Sequence, residues 1–520
     1  MLVPEQAKIR RTSGRGAFRK LSRKPPSQFL PAVDERIFLD SASRRAVAAT
    51  VGFTRRRFLT VTAAAAAATL VSRRTWAASP PRAVIVGAGL AGLTAALDLR
   101  DAGWDVVVLE ARDRVGGRVH TLYDDFSTDL HAEAGGESID DNHDRLQAMI
   151  ARFGLVTEPR PPDKLLQSVV FRRGHRGPLL ELLGRRDGAV LVDYLRFDEA
   201  VAEIAAGIDP EHPERAAKAV ALDHMSLDTF IRRQRLVPEA DFLVRLENRA
   251  GYNAEPADVS MLFVAQQAAA VADIGDAAAE TMRIAGGNSR LVEAMAADLG
   301  NRVRLGAPVT RVEHDGGGVR VIAGPHTVDA DHLVLAVPMP PVRRITFAPA
   351  LPAAMAATVA GLDLGSAAKV ITEYDARFWE TAGVAGFTVS DLPFHVAWAA
   401  TDSYASTGGL LTQFIAGRPA RKAARLTDSR RIAKFQRQLD RVYPEGVVHR
   451  TRRAATMAWA NEPYTGGGYA VFGPGQMMPF WPALREGVGR IHFAGEHTES
   501  LAGYMESAVR SGHRIAAALV

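Results

Sequence analysis

Cysteine is absent from all 520 residues. The chain therefore forms no disulfide, thiolate metal site, cysteine nucleophile or thioether-tethered cofactor; the absence leaves the redox compartment open. The one apolar run ahead of the body, Val61 to Val71, is too short for a membrane span, which needs about 20 residues. No internal period points to a repeat architecture, and the body carries no zinc-ligand spacing and no nucleic-acid motif. Metal and nucleic acid are not expected partners. The formal charge of +6 is unevenly placed: residues 1–80 hold 16 Lys and Arg against 4 Asp and Glu, and the remainder holds 48 against 54. The basic character belongs to the leader, so an anionic polymer or membrane surface does not follow as a partner of the folded part. The length suffices for two or three domains with buried cores.

What is present centres on Arg82-Ala-Val-Ile-Val-Gly87-Ala-Gly89-Leu90-Ala91-Gly92. A buried strand runs into a glycine turn and then a helix, which is the layout of a dinucleotide cradle. Gly87 permits the turn, Gly89 lets the backbone approach a pyrophosphate, and Gly92 lets helix and strand pack closely, while Leu90 and Ala91 open a helix whose free N–H groups face the anion. Trp104 to Leu109 reads as the second parallel strand, and Glu110 at its end sits where a ribose 2′-hydroxyl needs an acceptor. Ala111, Arg112, Arg114, Gly116, Gly117 and Arg118 follow, and arginine matches phosphate geometry with paired donors.

The body alternates between two kinds of sequence. A second glycine pair, Gly135-Gly136, precedes Glu137, Asp140 and Asp141, and Pro159-Arg-Pro161-Pro162 marks a boundary. From Lys164 to Met282 the apolar spacing is mostly helical, with Ser226 and Ser260 as caps. Gly286-Gly287 resets the chain, a helix runs to Leu299, and a hairpin follows with Val309–His314 and Val319–Ile322 around Asp315 to Gly318. His332 to Val337 is the unbroken apolar run of a parallel sheet. Strand-rich sequence with Lys369, Trp379, Trp398 and Phe414 precedes a basic helix near Arg430 to Tyr443. The last segment contains Trp459, Gly468-Tyr469, Phe493-Ala-Gly495-Glu496 and Gly503-Tyr504-Met505-Glu506, which opens a closing helix. The fold class expected is α/β, with a doubly wound, Rossmann-like domain built from residues 81–160, 283–342 and 455–520. An α+β substrate domain takes residues 161–282 and 343–454.

Two resemblances extend this reading. Thr54-Arg55-Arg56-Arg57-Phe58-Leu59, the apolar run and the small residues Ala77 and Ala78 resemble a twin-arginine export signal spanning residues 54–80. The resemblance implies export machinery as a partner, a periplasmic or secreted destination, and a cofactor captured before export. Residues 1–53 read as a disordered basic extension; no methionine lies between Met1 and the twin arginines, which favours a translation start near Val51.

Residues 82–520 resemble the flavin amine oxidase family of monoamine oxidases, polyamine oxidases and L-amino-acid oxidases. The residues that carry it are the cradle with Glu110 to Arg118, Gly286-Gly287, the Lys369 strand, and Phe493 to Glu496 with Gly503 to Glu506. The resemblance implies FAD at Gly87, Gly89, Leu90, Ala91, Gly92, Glu110, Ala111, Arg112, Gly116, Gly117, Arg118, Gly135, Gly136, Glu137, Val309, Trp459, Gly495, Glu496, Gly503, Tyr504 and Met505. It implies catalytic roles for Lys369, near the flavin N5, and for Tyr469 and Tyr504 as an aromatic cage. Where monoamine oxidases place the cysteine that binds flavin covalently, this chain has Gly468, so FAD is expected to be non-covalent. Asp140 and Trp398 are candidate substrate contacts; an alternative has Glu137 and Asp140 capping a helix near His143. The expected reaction is oxidative deamination of an amine with oxygen as acceptor. An L-amino-acid oxidase, with Arg172, Arg173 or another arginine of the helical domain as carboxylate clamp, stays open, as do a desaturase, a non-catalytic flavoprotein and a homodimeric assembly.

Overall fold

The computed structural model describes residues 80–160, 167–275, 281–401 and 403–520. The export signal, the basic extension and part of the proline boundary lie outside these residues.

The cradle strand β1 (Arg82–Val86) and its neighbour β2 (Asp105–Leu109) are runs of β-branched and aliphatic residues buried after their first position. Such residues suit a sheet covered on both faces. The strands are parallel members of a five-stranded sheet whose order is Ile491–Phe493, His332–Leu335, β1, β2, Val303–Arg304, with every pairing parallel. Residues some 400 positions apart in sequence thus complete one sheet. Helix α1 (Leu90–Asp101) connects β1 to β2, and the closing helix Met505–Leu519 packs directly on it. Gly512 makes that contact close: a Cβ there would lie 2.6 Å from Ala91 O.

A second sheet of seven strands runs in the order Arg450–Ala458, Ala367–Tyr374, Gly409–Ala416, Val396–Ala399, Thr388–Ser390, Val169–Arg172, His175–Pro178. Its pairings are antiparallel except that between Thr388–Ser390 and Val169–Arg172. The strand Ala367–Tyr374 is buried at all eight positions, which delivers Lys369 into the interior. Helices Leu227–Gln234, Pro238–Tyr252 and Met261–Ile274 belong to the helical stretch. Ser226 caps the first by accepting from Thr229 N, and Ser260 caps the third by accepting from Leu262 N and Phe263 N. The hairpin is present as Arg311–His314 paired antiparallel with Val319–Ala323. One local expectation fails: Trp379 lies on the short helix Phe378–Thr381, fully buried among Tyr374 and Phe378, because its aromatic neighbours pack it into a core rather than a ladder.

Candidate active site

The turn after β1 shows why each glycine is needed. Gly87 has φ +101°, and a Cβ there would lie 2.7 Å from Ala336 O. At Gly92 a Cβ would lie 2.0 Å from Gly87 O, so helix and turn close on each other through that residue. Gly89 differs: the nearest atom to its Cβ position is Gly116 O at 3.9 Å, and the residue borders a cavity instead. Leu90 and Ala91, the first turn of α1, line the same cavity. Their N–H groups have no acceptor within the helix, and the helix dipole favours an anion there.

Glu110 lines the cavity at the end of β2. Its buried carboxylate accepts from Ala88 N at 2.8 Å and Arg112 N at 3.0 Å, which fixes its orientation and leaves lone pairs for a further donor. Arg112 donates to Thr465 Oγ1 at 2.6 Å and pairs with Glu462 at 3.3 Å. Arg118 donates to Gly468 O at 2.7 Å and to Glu496 Oε1 at 2.6 Å. Burial pushes the Glu496 carboxyl upward, but Arg118 and the backbone donors outweigh it and hold the group below the usual carboxylate range. Glu496 also accepts from Ala470 N and Gly503 N, so one carboxylate ties Arg118 to the two loops that carry Tyr469 and Tyr504.

The same cavity is also lined by Lys369, Phe414, Tyr469, Tyr504 and Asn253. The Tyr469 ring packs over Gly503, where a Cβ would lie 3.2 Å away, and its hydroxyl donates to Ala250 O at 3.1 Å. Lys369 is almost fully buried, and its ammonium donates to Glu133 O at 2.9 Å, Gly135 O at 3.1 Å and Glu137 Oε2 at 2.9 Å. Trp398 Nε1 donates to the other Glu137 oxygen at 2.9 Å, and the ammonium lies 5.2 Å from the Trp398 ring. Burial raises the Glu137 carboxyl, yet Lys369 and Arg160 prevail and hold it below the ordinary value. Nearby Glu133 has no such direct cation, and burial pushes it up to about 7.

The cavity brings together most of the candidate residues: Gly87, Gly89, Leu90, Ala91, Glu110, Arg112, Gly116, Gly117, Arg118, Gly135, Gly136, Lys369, Trp459, Tyr469, Gly495, Glu496, Gly503, Tyr504 and Met505. Six candidates are not on its wall. Gly92 and Ala111 stand behind the turn and the β2 end. Val309 packs against the hydrophobic core beside the hairpin. Glu137 and Trp398 are turned toward Lys369, where a buried ammonium demands a counter-charge. Asp140 lies 3.5 Å from His143 Nε2, and its backbone N donates to His143 Nδ1. Neither acid caps the helix Asp144–Arg152: the N–H groups of Arg145 and Leu146 donate to Glu506. Arg172 stacks on Phe242 and Arg173 N donates to Asp391, both away from the cavity wall. Asn253, His497, Tyr464 and Thr465 line the cavity without having been singled out. An asparagine just past a helix reads as a left-handed C-cap, which Asn253 is at φ +53°, and that signal hides any further role.

Among the described residues, three side chains around the cavity have buried polar atoms with no hydrogen-bond partner: Arg112 Nε, both ring nitrogens of His497 and both amide atoms of Asn253. Unsatisfied buried groups are costly and call for a bound partner. With the anion cradle on the same wall, they fit a long cofactor with polar groups along its length. The fold and cavity thus define a dinucleotide-binding protein built on a parallel sheet.

The sequence model described as flavin containing amine oxidoreductase matches residues 90–520. The chain belongs to this family, and its cofactor is FAD. A putative flavin-containing monoamine oxidase of Mycobacterium tuberculosis is 32% identical over 84% of this chain and 95% of its own. An L-amino acid dehydrogenase of Synechocystis is 27% identical over 84% of this chain and 94% of its own. A solved structure of putrescine oxidase bound to putrescine superposes with a TM-score of 0.77 at 27% identity, covering 85% of this chain and 99% of that one.

Proposed function

We propose that the protein oxidatively deaminates an amine, using non-covalently held FAD, and passes the electrons to oxygen. Hydride leaves the carbon bearing nitrogen, the imine is released and hydrolysed, and oxygen becomes hydrogen peroxide. Bound FAD supplies the two-electron acceptor for that hydride. The observation that carries the reading is one cavity whose wall carries the anion cradle and Glu110 together with Lys369, Tyr469 and Tyr504.

In this reading the residues divide the work. The N-terminus of α1 and Gly89 bind the pyrophosphate, and Glu110 accepts from a ribose hydroxyl. Tyr469 and Tyr504 offer aromatic faces that attract an amine and exclude water from it. Lys369 donates to Glu137 and to the Glu133 and Gly135 carbonyls, which fixes its Nζ among them. Among the described residues the cavity wall carries two arginines, Arg112 and Arg118, and each is ion-paired within the protein, Arg112 with Glu462 and Arg118 with Glu496, although Arg112 Nε keeps a donor free. That favours an amine over an amino acid, whose carboxylate needs a free cation.

A visible spectrum of the pure protein, followed by an amine and L-amino-acid panel read for peroxide and ammonia, tests the proposal. Peroxide without ammonia points instead to desaturation, and unchanged oxygen consumption in Lys369→Met removes the role given to Lys369. Export by the twin-arginine route, supported by residues 54–78 of the sequence, is tested by the mass of the mature protein; a chain retaining the twin arginines outside the cytoplasm contradicts cleavage.

A further inference from the structure

The side chain of Asn253 is fully buried, and neither its amide nitrogen nor its amide oxygen has a hydrogen-bond partner among the described residues. Its backbone is nevertheless held firmly. Asn253 closes the helix Pro238–Tyr252 in the left-handed conformation, and its carbonyl accepts from Ser366 N at 2.8 Å. Two glycines make room for it: a Cβ at Gly365 would lie 2.6 Å from Asn253 Cβ, and one at Gly468 would lie 2.6 Å from Asn253 Nδ2. The amide faces the cavity between Gly468 and Ala367, next to Tyr469, whose hydroxyl is held by Ala250 three residues earlier on the same helix end.

A left-handed cap needs only glycine or asparagine and gains nothing from an unpaired amide. Leaving a buried donor and acceptor unmet is destabilising. Space cleared around such a group, on a cavity wall, points to a ligand that meets it. We propose that Asn253 is a binding residue of the cavity, its amide donating one hydrogen bond to, and accepting one from, the molecule bound beside Tyr469. The chemistry required is a group that both donates and accepts, which a neutral amine provides and so does the edge of a flavin ring. The inference rests on the amine oxidase reading for the first of these sources and stands apart from it for the second.

The test compares wild type with Asn253→Gly, which keeps the positive φ, and Asn253→Asp, which keeps the shape and the acceptor but loses the donor. In one arm the deflavinated proteins are titrated with FAD by fluorescence quenching. In the other, the holoproteins are mixed anaerobically with putrescine or benzylamine, and flavin bleaching yields an apparent Kd and a limiting rate. The expected result is an affinity loss of about tenfold or more in one arm, with the other within twofold and the thermal transition unchanged; a single lost pair of hydrogen bonds corresponds to that order of effect. The arm that moves names the source. Both affinities within twofold of wild type overturn the proposal, and so does a joint loss accompanied by a lowered thermal transition, which marks a purely structural residue. A wild-type holoprotein bleached by no amine removes the amine oxidase reading, while the FAD arm still decides the role of Asn253.

Discussion

Glutamine at position 137 removes the charge of a buried ion pair while keeping its shape. Lys369 and Glu137 have side chains 7% and 8% exposed, and the ammonium has two further acceptors in Glu133 O and Gly135 O. Removing one member of a buried pair generally costs about 3–5 kcal/mol, because the other charge is left uncompensated. Here two carbonyls, the Trp398 ring and the amide oxygen of the new side chain remain, so the expected cost falls at or below the lower limit of that range, about 2–3 kcal/mol. Equilibrium unfolding in urea with FAD at saturation, followed by tryptophan fluorescence, measures it. The pH dependence supplies an independent check. Glu137 is held below its ordinary 4.5 by Lys369 and Arg160 against the opposing effect of burial. A depressed carboxyl contributes stability above its unfolded value and loses it as pH falls through the folded value. The gap between wild type and Glu137→Gln is therefore full at neutral pH and closes on acidification below the ordinary carboxyl range. The double variant Glu137→Gln with Lys369→Met should be less destabilised than the sum of the single changes, since it removes both charges. A strictly additive double variant, or a gap that ignores pH, refutes the reasoning.

The other predictions address neighbouring features. Glu133 is raised to about 7 by burial, so it contributes stability that is present below the ordinary carboxyl value and lost as pH rises toward 7; Glu133→Gln should flatten that decline in the same urea assay. Gly92→Ala places a methyl 2.0 Å from Gly87 O, and an overpacked contact of this kind costs about 1–3 kcal/mol, read as a lower urea midpoint together with weaker FAD retention. Gly468→Ala collides with the Asn253 amide; its loss of stability should be largely relieved in combination with Asn253→Gly, and equal losses with and without that second change contradict the packing described. Denaturing the holoprotein and filtering it should leave the flavin in the filtrate, whereas yellow colour retained with the polypeptide rules out non-covalent binding.

Much of the cofactor cradle was legible in the sequence because its logic is local. Gly87, Gly89, Gly92 and Glu110 act within a few residues of each other on one strand, turn, helix and strand, and hydrophobic periodicity locates those elements. The capped helices at Ser226 and Ser260 and the hairpin around Asp315 are local for the same reason. The rest of the site was less legible. Glu137 and Trp398 are 261 positions apart, and nothing in either segment shows that both turn toward Lys369 rather than toward a substrate. Asn253 carries a C-cap signal that conceals its second environment, and Trp379 sits in strand-like sequence yet packs in a helix.

Composition and local spacing by themselves therefore determined the dinucleotide cradle, the absence of cysteine chemistry and the alternation of sheet and helical segments, since each depends on covalent geometry and near neighbours. The tertiary structure alone decided which carboxylate meets Lys369, and that an asparagine whose side-chain amide has no partner among the described residues borders the cavity. Burial makes those choices: a charge or amide removed from water must find a counterpart, and that counterpart is set by the packing of distant segments.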